Sequence, residues 1–163
     1  MGFDDLLAAN TTYAASFTDT GIAGAAAKEL AVLTCIDSRI DPLKVLGLAP
    51  GDAKIVRNAG ARVTDDALRS LTLAHNLLGA KRICVIAHTE CAMVGTSEHD
   101  LQARVAKAAN VAHCDVDLLP VDNQLATLAT DLERIRNSPL LQNVTDLGGF
   151  IFNVRTGELT QVL

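Results

Sequence analysis

The sequence predicts an α/β fold, with a mainly parallel central sheet of about four strands, an antiparallel edge strand and flanking helices. Three observations carry this. The runs 29-ELAVLTCI-36 and 81-KRICVIAH-88 have strand length and almost unbroken apolarity, as in a parallel strand covered on both faces. Between them lies a helical segment with a start signal at Thr64-Asp65-Asp66 and a stop at Gly79. Strands alternating with helices in this way require right-handed crossovers and parallel pairing.

Residues 3–17 carry apolar groups at a loose helical period, followed by the small-residue connector TDTGIAGAAA. The first strand is 29–36. Asp41-Pro42 opens a helical turn reaching Leu48, and Pro50-Gly51 marks a loop. The second strand is 53-AKIVRN-58. On the next helix, Leu68, Leu71, His75 and Leu78 form one face. After the third strand, 81–88, residues 97–108 are read as a helix, 109–121 as an irregular connection and 122–137 as another helix. The fourth strand is 148-GGFIFNV-154, and the Thr156-Gly157 turn sends 158-ELTQV-162 back antiparallel at an edge. The chain is read as one domain over 1–163, with 1–28 as an N-terminal helical arm.

At 163 residues the chain can bury a core without disulfides. Aromatics are only 3% and Trp is absent, so Ala, Val, Leu and Ile must fill that core, and no base-stacking platform is expected. A net charge of −5 without a Lys/Arg run argues against nucleic acid and anionic lipid. No apolar run approaches the roughly 18–20 residues that span a bilayer. The acidic opening MGFDDL is unlike a secretory signal, so a cytoplasmic protein is expected. There the four cysteines, Cys35, Cys84, Cys91 and Cys114, are read as reduced, with any special role in metal binding or catalysis.

The segment 34-TCIDSRI-40 alternates a thiol, a carboxylate and a guanidinium. In extended backbone Cys35, Asp37 and Arg39 would line one wall beyond a strand's carboxyl end, where open α/β sheets bind ligands. The third strand ends in 88-HTECAM-93, so His88 and Cys91 would emerge at the same edge. Two thiolates and an imidazole suit zinc, one ion per chain, with a fourth position left open. Asp37 would either fill that position or accept a hydrogen bond from a bound water, and Arg39 could hold its carboxylate in a fork. With zinc present, the formal charges of the two thiolates, Asp37 and Arg39 balance it.

Cys35-x-Asp37-x-Arg39 followed by His88-x-x-Cys91 resembles the signature of the β-class carbonic anhydrases, in a compact, divergent form. The likeness extends to RNAG at 57–60, to GGFIFNV and to TGEL. It implies zinc-dependent, reversible hydration of CO2 to bicarbonate and a proton by a zinc-bound hydroxide. Cys35, His88 and Cys91 would be the metal ligands, and the Asp37–Arg39 dyad would orient the nucleophile or gate the fourth position. It also implies a homodimer or dimer of dimers, the N-terminal helix packing on the partner subunit. Ala92-Met93 departs from the glycines common after the second cysteine, and no residue matches the plant-type substrate-binding glutamine. Relatives with the same ligands hydrolyse carbonyl sulfide or carbon disulfide, which is the alternative substrate class.

Taken singly, each cysteine reads as a buried thiol and His88 as a stray histidine; their joint spacing is what points to a metal. A structural zinc module closed by Asp37 and a thiol redox protein are the other readings, the latter weakened by the lack of a Cys-x-x-Cys pair. Cys84 is expected in the core and His75 in core or interface packing. His113 and Cys114 are read as loop residues, His99 and Asp100 as surface, and Arg57 and Asn58 as scaffolding, with Asn58 to Gly60 shaping the pocket through backbone groups. Neither G-x-G-x-x-G nor a P-loop is present, which disfavours nucleotide use.

Overall fold

Apolar side chains on both faces of Leu30–Cys35 (β1) bury all but its first residue, as expected of a strand sandwiched within a sheet. The computed structural model describes residues 2–19 and 21–163. After helix α1 (Asp4–Ala15) and β1 come α2 (Pro42–Val45), β2 (Ala53–Asn58), a 3₁₀ turn (Ala59–Ala61) and α3 (Asp65–Leu77). There follow β3 (Arg82–His88), α4 (Glu98–Ala109), α5 (Gln124–Arg136), β4 (Asp146–Phe152) and β5 (Leu159–Gln161). The strands form one sheet in the order β2-β1-β3-β4-β5. All pairs are parallel except β4–β5, the antiparallel edge. Every expected element is present, with boundaries shifted by a few residues at most, and 110–120 forms the irregular connection.

Local chemistry explains the helix starts. Thr64 Oγ1 accepts from the Ala67 N–H at 3.3 Å, and Asn123 Oδ1 from the Ala126 N–H at 2.9 Å, each satisfying a donor the helix cannot. The stripe Ala67, Leu71 and Ala74 turns α3 onto the sheet, and Leu128, Leu132 and Ile135 do the same for α5. With Leu33, Ile83 and Val85 they form the main core. Burying a side chain such as Leu71 fully contributes about 1.5–3 kcal/mol. Gly149 lets α5 come close: a Cβ there would stand 3.0 Å from Leu128 Cδ2 and from Leu132 Cδ1.

The opposite face carries Val32, Ile86 and Phe152, against which the short α2 region packs Val45 and Leu46. Cys84 and Phe150 remain only partly covered there. α1 buries none of its own side chains. Among the described residues no helix is long and apolar enough to cross a membrane.

Candidate metal centre

β1 ends at Cys35 and β3, its parallel neighbour, at His88. β2 lies on one side of β1 and β3 on the other, so the connections diverge between β1 and β3. That divergence opens a crevice beyond the carboxyl ends of the two strands. A turn through Thr89 and Glu90 then brings Cys91 back over the same spot.

One ligand atom from each of Cys35, His88 and Cys91 lies within 4.8 Å of the others, and all three residues are buried. The two sulfurs are 4.0 Å apart. His88 Nδ1 is 2.9 Å from the Thr89 carbonyl oxygen, which can only accept, so this nitrogen carries the proton. That leaves the Nε2 lone pair, which is buried and has no hydrogen-bond partner. A buried polar atom without a partner costs about 1–3 kcal/mol. An imidazole lone pair beside two thiols is a donor set for a tetrahedral N/S metal ion, so the cluster fits one and the orphaned nitrogen gains a partner. Gln124, opening α5, donates from Nε2 to the His88 carbonyl at 2.8 Å and steadies the strand end.

Burial alone would push the Cys35 thiol up. The His88 imidazole beside it and the backbone N–H groups of Asp37 and Gly60 outweigh burial and bring it down to about 7. Gly60 sits at φ 76, a backbone that glycine adopts at little cost, and its N–H points at Cys35 Sγ at 3.4 Å. Arg57 donates to the Cys35 carbonyl at 2.9 Å and the Asp37 carbonyl at 2.8 Å, fixing the segment between them. For Cys91 burial dominates, reinforced by the neighbouring Cys35, and its thiol is raised.

Asp37 and Arg39 meet by a route other than strand alternation. β1 stops at Cys35, and Asp37 Oδ1 accepts from the Arg39 backbone N–H at 2.9 Å. This is the local turn that an Asp side chain closes on its own chain two residues later. It lays the guanidinium alongside the carboxylate: Arg39 Nε donates to Oδ1 at 3.0 Å and Nη2 to Oδ2 at 2.7 Å. These bonds from Arg39, side chain first and backbone second, hold the Asp37 carboxyl well below the usual range. Asp37 Oδ2 faces the cluster, 3.9 Å from His88 Nε2.

The other singled-out residues stay outside. His75 Nδ1 is tied to the Ala80 carbonyl at 2.7 Å at the end of α3. His99 and His113 face solvent beside Asp100 and Asp115. Cys84 lies in β3, and burial pushes its thiol up to about 12.

Two carboxylates near the site carry no sequence signature of their ion pairs as distinct as that of the cluster. Asp131 of α5 is buried and accepts from Arg62 Nε at 2.8 Å and the Val63 N–H at 3.1 Å, pinning the segment after Gly60. Its sequence signal was an acid on the apolar stripe Leu128, Leu132, Ile135. Glu90 accepts from both Arg39 and Arg155, and no spacing marked it.

A doubly wound sheet with, at its switch point, a Cys/His/Cys cluster that could hold a metal ion defines the class of this α/β protein. Comparison with known proteins narrows the class. The carbonic anhydrase family profile matches residues 30–159. β-Carbonic anhydrase 1 of Mycobacterium tuberculosis is 33% identical over 160 residues, covering 98% of this chain and 96% of that protein. A carbon disulfide hydrolase of Acidianus sp. is 34% identical over 155 residues, covering 81% of this chain and 76% of that protein. The crystal structure of a carbonic anhydrase from Streptococcus mutans superimposes with a TM-score of 0.91 at 33% identity, covering 100% of this chain and 99% of that one. The chain belongs to the β-carbonic anhydrase family.

Proposed function

We propose that this chain is a cytoplasmic zinc enzyme that reversibly hydrates CO2 to bicarbonate and a proton. One zinc per chain would be held by Cys35, His88 through Nε2, and Cys91, with Asp37 and Arg39 as the catalytic pair. The observation that carries the reading is the buried, partnerless His88 Nε2 converging with two thiols. Zinc, when bound, is a Lewis acid that brings the pKa of water from far above neutrality to about 7.

The chain's own residues supply orientation. Asp37, ionised throughout the physiological range, is an acceptor only, too weak a base to take a proton from water efficiently near neutrality. At Oδ2 it accepts the hydrogen bond of the attacking water and turns that oxygen's lone pair toward the CO2 carbon. Because Arg39 holds both carboxylate oxygens, the posture supported is Asp37 turned to Arg39, so that Cys35, His88 and Cys91 alone would hold the metal.

The arrangement of the chain completes the proposal. Residues 1–163 act as one domain, with 1–28 as an arm, and the enzyme is a homodimer, supported by exposed Phe3, Leu6, Leu7 and Tyr13 on and beside α1. Free cysteines in the metal cluster suit a reducing compartment. Hydrolysis of carbon disulfide is the second reading, favoured by the Acidianus relative, since that linear molecule invites the same attack.

The deciding experiment is stopped-flow CO2 hydration over pH 6–9 on protein of measured zinc content. Turnover rising with pH at about one zinc per chain is expected. Turnover of carbon disulfide alone would favour the second reading, and zinc-free protein with full activity would sink both.

A further inference from the structure

The Asp37–Arg39 pair is one end of a longer chain of charges. Arg39 Nη1 donates to Glu90 Oε2 at 3.1 Å, and Nη2 also reaches the Glu90 carbonyl oxygen at 3.2 Å. The other Glu90 oxygen, Oε1, accepts from Arg155 Nε at 2.8 Å. Four alternating charges therefore join three parts of the sheet's edge: the end of β1, the turn after β3 and the β4–β5 turn. They sum to zero.

Glu90 occupies an unusual backbone position to do this. Its φ is 55, in the left-handed region that costs a non-glycine residue about 1–2 kcal/mol. This conformation directs both its carbonyl and its carboxylate at the same guanidinium. A solvated loop glutamate has no need of such a conformation. The Glu90 side chain is 44% exposed, so the bonds act through geometry more than through pair strength.

We propose that Glu90 is a positioning residue: braced by Arg155, it clamps the Arg39 guanidinium and through it sets the angle at which Asp37 faces the metal cluster. Arg39 has five donors in a rigid fork. Nε and Nη2 are taken by Asp37, and without Glu90 the outer edge is left to water. The fork can then swing about its side-chain torsions and carry the Asp37 carboxylate with it. A residue acting this way alters turnover without touching substrate, and in its activity the inference rests on the proposed hydration.

The test uses zinc-loaded protein and two readouts. In wild type the Arg39 Nη groups, held by Asp37 and Glu90, give separate nitrogen NMR signals because rotation about the Nε–Cζ bond is hindered. In Glu90→Gln one of the two acceptor oxygens becomes an NH2 that can only donate, so the clamp between the two arginines is broken and these signals coalesce at the same temperature. The Arg69 signals, from a helix-surface pair with Asp66, stay as they were. CO2-hydration kcat falls about 3- to 10-fold in Glu90→Gln, with KM held within about twofold. Arg155→Gln costs about twofold, and the double variant is no worse than Glu90→Gln alone, since Arg155 acts only through Glu90.

Unchanged Arg39 signals in Glu90→Gln would overturn the proposal, as would additive losses in the double variant. A lowered melting temperature with those signals intact would also overturn it. If wild type turns over neither CO2 nor carbon disulfide, the proposed function fails, and the Arg39 signals alone then decide the part of Glu90.

Discussion

Asp37 Oδ2 stands 3.9 Å from His88 Nε2, close enough to meet anything seated among the cysteines, yet both its oxygens are bonded to Arg39. The carboxylate is thus both aimed and restrained. Replacing Asp37 by alanine removes the acceptor and leaves all three cluster residues in place. Turnover should fall about 10²-fold, the scale of losing an orienting contact, while zinc content stays near one per chain. Elemental analysis beside stopped-flow rates measures both. A variant that loses zinc and activity together would make Asp37 a ligand rather than an orienter.

The Cys35 thiol should titrate apart from Cys84 in metal-free protein. With its pKa lowered from 9.0 to about 7, Cys35 gains thiolate as pH rises through 7, so its alkylation rate should climb between pH 6 and 8. Cys84, pushed up to about 12, should stay inert across that range. Site-resolved mass spectrometry after timed iodoacetamide exposure reads both. Adding zinc should protect Cys35 and leave Cys84 unchanged. Equal reactivity of the two thiols at pH 7.5 would contradict the proximity of His88 that lowers the first.

The strands and the convergence of Cys35, His88 and Cys91 were legible because each followed from short-range chemistry. β1 and β3 are apolar runs that end at a thiol and an imidazole, and strand-end logic placed both in one crevice. The Asp37–Arg39 contact was expected for an imperfect reason: an Asp side chain closes a turn on its own backbone, where the sequence suggested continued strand alternation. Asp131–Arg62 and Glu90–Arg155 were illegible because their partners lie 69 and 65 residues apart, and a charged residue on a loop or helix ordinarily reads as solvated. What brings them together is the packing of α5 on the sheet and the return of β5. Neither is encoded locally.

Asp131 offers a strong test of that packing. It is 4% exposed and holds both Arg62 and the Val63 N–H, so it joins α5 to the segment leading out of Gly60. Asp131→Ala leaves Nε and Nη2 of Arg62 and the buried Val63 N–H without an acceptor, while Nη1 keeps the Leu119 carbonyl. Losing one partner of a buried pair costs about 3–5 kcal/mol. Urea denaturation should show that loss, against a change under about 1 kcal/mol for Asp66→Ala in the exposed helix pair. Comparable losses in the two variants would mean that Asp131 is better solvated than its position indicates.

Helix α1 sets the last expectation. None of its side chains is buried, and Leu7 is 64% exposed, an arrangement that a 12-residue helix does not sustain in water through propensity alone. Seating Leu6 and Leu7 against a second copy would contribute about 1.5–3 kcal/mol for each fully buried side chain. Light scattering should therefore give twice the 17.2 kDa chain mass. Leu7→Glu places a charge in that contact and should halve the mass. The backbone amide NMR shifts of β1, β3 and β4 should not change, because α1 touches none of the buried clusters. A wild-type chain that runs as a monomer at micromolar concentration would leave α1 without a partner of its own kind.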